Sequence, residues 1–111
     1  MGQINNIYSI FDVKAKTYGA PFTVLNDDVA FRVVDHILQA PDTDYRRYPD
    51  DFVVYHLGDF DTDSGLVVAA TSPRLVCSVR SRLDYLISLA SQPRIDSPAP
   101  KEEVNGGNNN E

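Results

Sequence analysis

The sequence predicts an α+β fold: a three- or four-stranded, mainly antiparallel sheet with two helices packed on one face. Three stretches carry that expectation. Residues 27–39 place apolar side chains at helical spacing behind a pair of aspartates. Residues 52–57, FVVYHL, give the strongest strand signal, and an Asp-rich turn then leads to a second apolar run at 66–70. Residues 78–91 carry another helical stripe. Strand, helix, hairpin and helix in that order make a layered α+β domain.

The first strand is expected over residues 7–13, IYSIFDV. Alternation puts Tyr8 and Ile10 on one side and Ile7, Ser9, Phe11 and Val13 on the other, with the apolar face centred on Phe11 and Val13. Lys14 and Lys16 give the strand a cationic end, and Tyr18-Gly19-Ala20-Pro21 reads as a bend. The first helix follows. Asn26 or Asp27 can cap it, and Asp27 and Asp28 lie where the positive end of the helix dipole favours carboxylates. Val29, Val33 and Ile37 recur every four residues, flanked by Ala30, Val34 and Leu38, and Pro41 ends the segment. His36 falls on the polar face and reads as a solvated helix residue.

Residues 41–51, PDTDYRRYPDD, form a polar loop. Residues 52–57 are apolar on both sides, which suits a central strand. Residues 58–65 turn the chain, 66–70 return as the hairpin's second strand, and Ser72-Pro73 interrupts. Leu75 to Val79 is ambiguous between strand and helix. From Ser78 the residues Val79, Leu83, Leu86, Ile87 and Ala90 fit a helical stripe, with Arg80, Arg82 and Asp84 outside it. Residues 1–92 therefore make one domain. Residues 93–111 hold three prolines and then KEEVNGGNNNE, without apolar periodicity, and are expected to be a disordered tail.

Composition narrows the function. Sixteen acids against ten bases leave a net charge of −6, which argues against a whole-surface nucleic-acid binder but permits a local basic site. The single cysteine, Cys77, excludes an internal disulfide and reads as a small buried apolar side chain. No apolar run reaches the roughly 18 residues of a membrane span, and MGQINN lacks the features of a secretory leader. An intracellular chain with a small core is expected, for which homodimerisation is a natural supplement.

Catalytic and metal patterns are incomplete. Asp59, Asp61 and Asp63 alternate like the first ligands of a calcium loop, but the sixth position is Ser64 and the twelfth is Ala70 rather than Gly and Glu. His56 and Cys77 lack a nucleophile elbow or an orienting partner pattern, and no phosphate-cradling glycine loop or paired-cysteine motif is present. No catalytic residue, metal or cofactor is expected. Tyr45-Arg46-Arg47-Tyr48 is the candidate binding patch, because Arg can grip phosphates and Tyr offers a stacking face. Lys14 and Lys16, and then Arg80 and Arg82, can extend it. The competing reading is a solvated loop whose arginines neutralise Asp42, Asp44, Asp50 and Asp51.

The order of several short motifs resembles the small nonstructural DNA-binding protein of gokushovirus-type microviruses, single-stranded DNA bacteriophages. The matching residues are Tyr8-Ser9-Ile10-Phe11-Asp12 with Lys14-Ala15, Pro21-Phe22, Arg32, Pro49-Asp50-Asp51-Phe52, and Leu57-Gly58-Asp59-Phe60-Asp61 with Gly65. The resemblance runs from about residue 7 to 65. It implies a non-enzymatic accessory protein in the host cytoplasm, acting in the switch to single-stranded genome synthesis. It places a basic loop at Arg46 and Arg47. The first expectation is therefore single-stranded DNA binding, with Arg46 and Arg47 on phosphates, Tyr45 and Tyr48 stacking on bases, and Lys14 and Lys16 auxiliary. The overall acidity departs from that pattern. It keeps a second expectation open, an acidic dimeric adaptor for a replication or packaging protein, and a third, a virion component.

Overall fold

The computed structural model describes residues 3–92; the tail expected at 93–111 lies outside them. Five strands form one antiparallel sheet. They are β1 (Ile4–Asp12), β2 (Thr17–Tyr18), β3 (Phe22–Val24), β4 (Phe52–Asp61) and β5 (Val67–Ser78). The helices are α1 (Asp27–Ile37), a single turn α2 (Asp44–Arg47) and α3 (Val79–Ser91), with a 3-10 turn at Pro49–Asp51. The α+β class is the expected one. The two additional strands come from residues 17–24, where the chain bends at Gly19–Pro21, so that β2 and β3 pair with successive parts of the same β1 edge. Strand order is β2-β1-β4-β5, with β3 beside β1.

β1 and β4 are the inner strands, paired from Ile4↔Asp61 to Asp12↔Phe52. A bulge after Ile7 shifts the register, so Ile7 faces Gly58 while Tyr8 faces His56. Leu57 is the extra residue on β4, and β1 and β4 stay paired on both sides of the bulge. β4 is longer than the expected 52–57, because Gly58 to Asp61 continue to pair with β1 and β5. β5 is longer than 66–70 as well. Ser72-Pro73 does not end it: residues 70–73 bulge outward between the Gly58↔Ala69 and His56↔Arg74 pairs, and a proline at a bulge on an edge strand sacrifices no ladder bond.

The core is a single cluster between the sheet and the helices: Tyr8, Ile10, Phe52, Val54, Ala30, Val34, Leu38, Val79 and Leu83. Two expectations about faces are corrected. On β1 the covered side is Tyr8–Ile10, not Phe11–Val13, because the Tyr8 hydroxyl finds a partner at the start of α1 and can be buried there. On α3 only the first turns reach the core; Ile87 and Ala90 are exposed. Within α1 the most buried positions are Ala30, Val34 and Leu38, a step round from Val29, Val33 and Ile37.

The caps are local and sequence-encoded. Asn26 Oδ1 accepts from the Val29 N–H, Thr43 Oγ1 from Arg46, and Ser78 Oγ from Ser81. Such side chains satisfy amide groups that a helix start leaves without partners. The two long helices are fastened by Arg82 of α3. It donates to both carboxylate oxygens of Asp35 on α1, at 2.9 and 2.7 Å, and its guanidinium lies 4.8 Å from the Phe31 ring centre and 4.5 Å from that of Tyr85.

At Gly58 the backbone of β5 leaves no room for a side chain. A Cβ there would collide with the Val68 carbonyl oxygen and stand 3.1 Å from the Ala69 Cα. Gly65, at φ 76 in the hairpin turn, has open space around it. Gly58→Ala is therefore expected to lower the unfolding free energy by about 1–3 kcal/mol through overpacking. Gly65→Ala is expected to cost about 1 kcal/mol, through its backbone conformation alone. Denaturant titration of the two variants checks the order.

A candidate nucleic-acid interface

The expected Tyr45–Tyr48 patch is engaged within the domain. Tyr45 packs its ring on Phe52 at 4.7 Å between centres. Arg46 Nη1 donates to the Leu38 carbonyl at 2.6 Å, closing the carbonyl end of α1, where a cation also favours the helix dipole. Arg47 donates to Asp44 Oδ1 at 3.0 Å and to the Asp42 carbonyl at 3.2 Å. Arg46, Arg47 and Tyr48 are exposed, and Tyr48 has no ring partner among the described residues. The loop expected at 41–51 is thus an ordered clasp. Pro49 is buried, Asp50 pairs with Arg80 of α3, and the Asp51 carbonyl accepts from Val13 at the end of β1.

Three further arginines follow the same rule. Arg80 holds Asp50 and lies 3.5 Å from Asp84, Arg82 holds Asp35, and Arg74 holds Asp27. They do not converge on Tyr45–Tyr48. Among the described residues Lys14, Lys16 and Arg32 are the lysines and arginines with neither an ion pair nor a side-chain hydrogen bond; Arg46 has only its bond to the Leu38 carbonyl.

Lys14 and Lys16 sit on the β1–β2 turn, which Asp12 builds. Its Oδ1 accepts from the amides of Lys14 and Ala15, and its carbonyl accepts from the Lys16 amide at 2.7 Å. Lys16 has φ 62, a backbone conformation that glycine or asparagine ordinarily supplies. Both lysines are exposed, and their turn joins the strands that carry Phe11 and Tyr18, next to the side of the sheet that no helix covers. There Phe11, Tyr18 and Tyr55 form a three-ring cluster: Phe11–Tyr18 at 4.7 Å, Phe11–Tyr55 at 6.0 Å and Tyr18–Tyr55 at 5.8 Å. Tyr18 is 45% exposed. Strand pairing sets this grouping, since Phe11 is opposite both Tyr18 and Val53, and Ser9 is opposite Tyr55. Ser9 is fully buried beneath, donating to the Gly19 carbonyl at 2.7 Å.

The same side of the sheet continues into an apolar groove of about 690 Å³ lined by Ile7, Pro21, Phe22, Thr23, Leu57, Phe60, Val67 and Ala69. Sequence reasoning placed Lys14 and Lys16 correctly at a strand end but missed the rings beside them. The signal was the alternation of β1 itself, with Phe11 opposite in parity to Tyr8 and Ile10.

A family model for the Phage ORF5 protein matches residues 5–82. The chain belongs to the Phage ORF5 family. No curated protein and no solved structure gives a match. The matched span contains the sheet from Asn5 onward, the three rings and both lysines. Among the described residues no helix is long and apolar enough to cross a membrane.

Two other constellations have structural roles. The alternating aspartates diverge: Asp59 faces His56 at 3.1 Å, and Asp61 Oδ1 caps the hairpin turn through the amides of Asp63 and Ser64. Those amides hold the Asp61 carboxyl below its ordinary range. Cys77 is half-buried, and burial pushes its thiol up to about 11.

The most perturbed polar cluster joins β1, α1 and β5. The Tyr8 hydroxyl donates to Asp27 Oδ1 at 2.5 Å and accepts from Asn6 at 3.0 Å, and Arg74 grips both Asp27 oxygens at 3.0 Å. The carboxylate is saturated by these donors, so the cluster is a fastening. Burial, and then Asp27, push the Tyr8 phenol up to about 12. Arg74 foremost holds the Asp27 carboxyl below its ordinary 3.8.

The signs follow from linkage. The Asp27 contribution is present above pH 4 and is lost as pH falls below it. The Tyr8 contribution is present below pH 10 and is lost between pH 10 and about 12. Denaturant midpoints measured against pH should show Asp27→Asn with a shallower acid limb, the exposed Asp50 and Asp61 keeping a remainder. Tyr8→Phe should lose less stability above pH 10, retaining the part that Cys77 contributes between pH 9 and about 11.

Proposed function

We propose that this chain is a non-enzymatic accessory protein of a microvirus-type phage that binds single-stranded DNA in the host cytoplasm, in the switch to single-stranded genome synthesis. The observation that carries the reading is the three-ring cluster on the helix-free side of the sheet with the unpaired Lys14 and Lys16 at its rim. Aromatic faces stack on unpaired bases whatever their sequence, and lysines beside them meet the phosphates that join those bases. Tyr18 is the leading platform, Phe11 and Tyr55 support it, and Lys14 and Lys16 take the backbone. Arg46 and Arg47 are structural in this reading.

A net charge of −6 limits the long-range attraction of a polyanion, so stacking supplies most of the affinity. Two phosphate contacts correspond to a slope of about −1.4 in log affinity against log salt, at about −0.7 per contact for single strands. Titration of a labelled oligonucleotide at two salt concentrations tests this. Tyr18→Ala is expected to weaken binding by about 1–3 kcal/mol at either salt. Lys14→Ala/Lys16→Ala should flatten the salt slope, and Arg46→Ala/Arg47→Ala should leave binding by the folded protein unchanged. Absence of binding by the wild type, or loss only in the Arg46/Arg47 variant, overturns the assignment.

One observation favours a second reading, an adaptor for a replication or packaging protein. Arg47, Arg74, Arg80 and Arg82 are spent on internal aspartates, which leaves an acidic exterior suited to a basic partner. Partners recovered from infected cells that survive nuclease treatment distinguish it from the DNA reading.

A further inference from the structure

β5 is an edge strand of twelve residues, and its outer side has no partner among the described residues. Edge strands of monomeric proteins are ordinarily blunted by charge, proline or a covering element. Here Leu66 to Ser72 carry no charge at all, and Pro73, which has no N–H to donate, marks the end of the unguarded run. Apolar side chains are exposed on both faces of this run: Val67 at 62%, on the side of the ring cluster, and Val68 at 65%, on the helix side. Exposure on both faces excludes a partner that lies on one side of the sheet. It calls for another strand, added edge to edge.

We infer that the missing strand is β5 of a second copy, paired antiparallel across a two-fold axis to make one continuous ten-stranded sheet. Charge selects this occupant. A nucleic acid would need cations along the edge, and Arg74, the nearest, is committed to Asp27. Two copies of a chain at −6 repel over most of their surfaces, and the uncharged run is where they can meet. An antiparallel pair is self-complementary, so one segment supplies both halves of the contact and the assembly closes at two. The regular residues ahead of the bulge, Val67 to Ala69, span about 10 Å, at roughly 3.3 Å each, with the two-fold axis at Val68. In the dimer Val67 and Ala69 of the two copies lie side by side, and the two apolar grooves run together. The ring clusters remain accessible, since β1 and β2 lie on the far side of each sheet from the new seam.

Sedimentation of the full chain without DNA tests this, independently of the DNA reading. The wild type is expected at twice the chain mass. Val68→Lys and Val67→Lys each place a charge on one face of the seam, at exposed positions where the fold tolerates it, and both are expected to sediment as folded monomers. Leu89→Lys, at an exposed apolar position of α3, should remain dimeric. A monomeric wild type, or a dimer that survives either β5 substitution, overturns the proposal. DNA binding by a monomeric wild type would refute this dimer while leaving the DNA reading in place.

Discussion

Burying the Tyr8 ring while satisfying its hydroxyl is the constraint from which the arrangement of the domain follows. The ring is fully buried at the centre of the sheet, stacked near Phe22 and edge-on to His56. Its hydroxyl needs an acceptor, and the acceptor is Asp27 in the first turn of α1. Asp27 is held in turn by Arg74 from β5. One side chain thus decides which face of β1 is covered, where α1 begins and how the hairpin lies against it. A carboxylate at a helix start is favourable in itself, and bidentate pairing with an arginine adds direction to that preference.

Choosing the Tyr8 face for the helices exposes the other. Phe11 and Tyr55 fall on the side that α1 and α3 never reach, and Tyr18 joins them from β2. The arginines follow a similar division. Each that clasps one element to another, Arg46 to the end of α1, Arg80 to the 3-10 turn, Arg82 to α1, is withdrawn from external anions. The two lysines on a turn built by Asp12 are left outside. The covered side of the sheet makes the domain, and the uncovered side with its rim lysines carries the proposed binding.

The elements whose signals are local were legible in the sequence. Asn26 with Asp27 and Asp28 announced α1, Ser78 announced α3, and the apolar density of residues 52–57 announced the central strand. What was not legible depended on distant partners. Nothing near Phe11 says that Tyr8 will be the covered neighbour, because the deciding acceptor lies nineteen residues away. The intramolecular partners of the Tyr45–Tyr48 cluster were not legible either, since an arginine that caps a helix through Leu38 looks the same in sequence as one that grips a phosphate. Strand lengths were underestimated where irregular residues were absorbed by bulges, at Leu57 on β4 and at residues 70–73 on β5. The motifs behind the family resemblance have structural roles in this light: Pro49 is buried, Gly58 permits the approach of β5, and Asp61 caps the turn.

The central claim is that the ligand face is the helix-free side of the sheet and not the Tyr45–Tyr48 turn. Backbone and aromatic resonances followed by NMR while a short single-stranded oligonucleotide is added test it most directly. The account predicts shifts concentrated at Phe11, Lys14, Lys16, Tyr18 and Tyr55, with Tyr45 to Tyr48 unmoved. Shifts centred on Arg46 and Arg47, with the three rings silent, would contradict it.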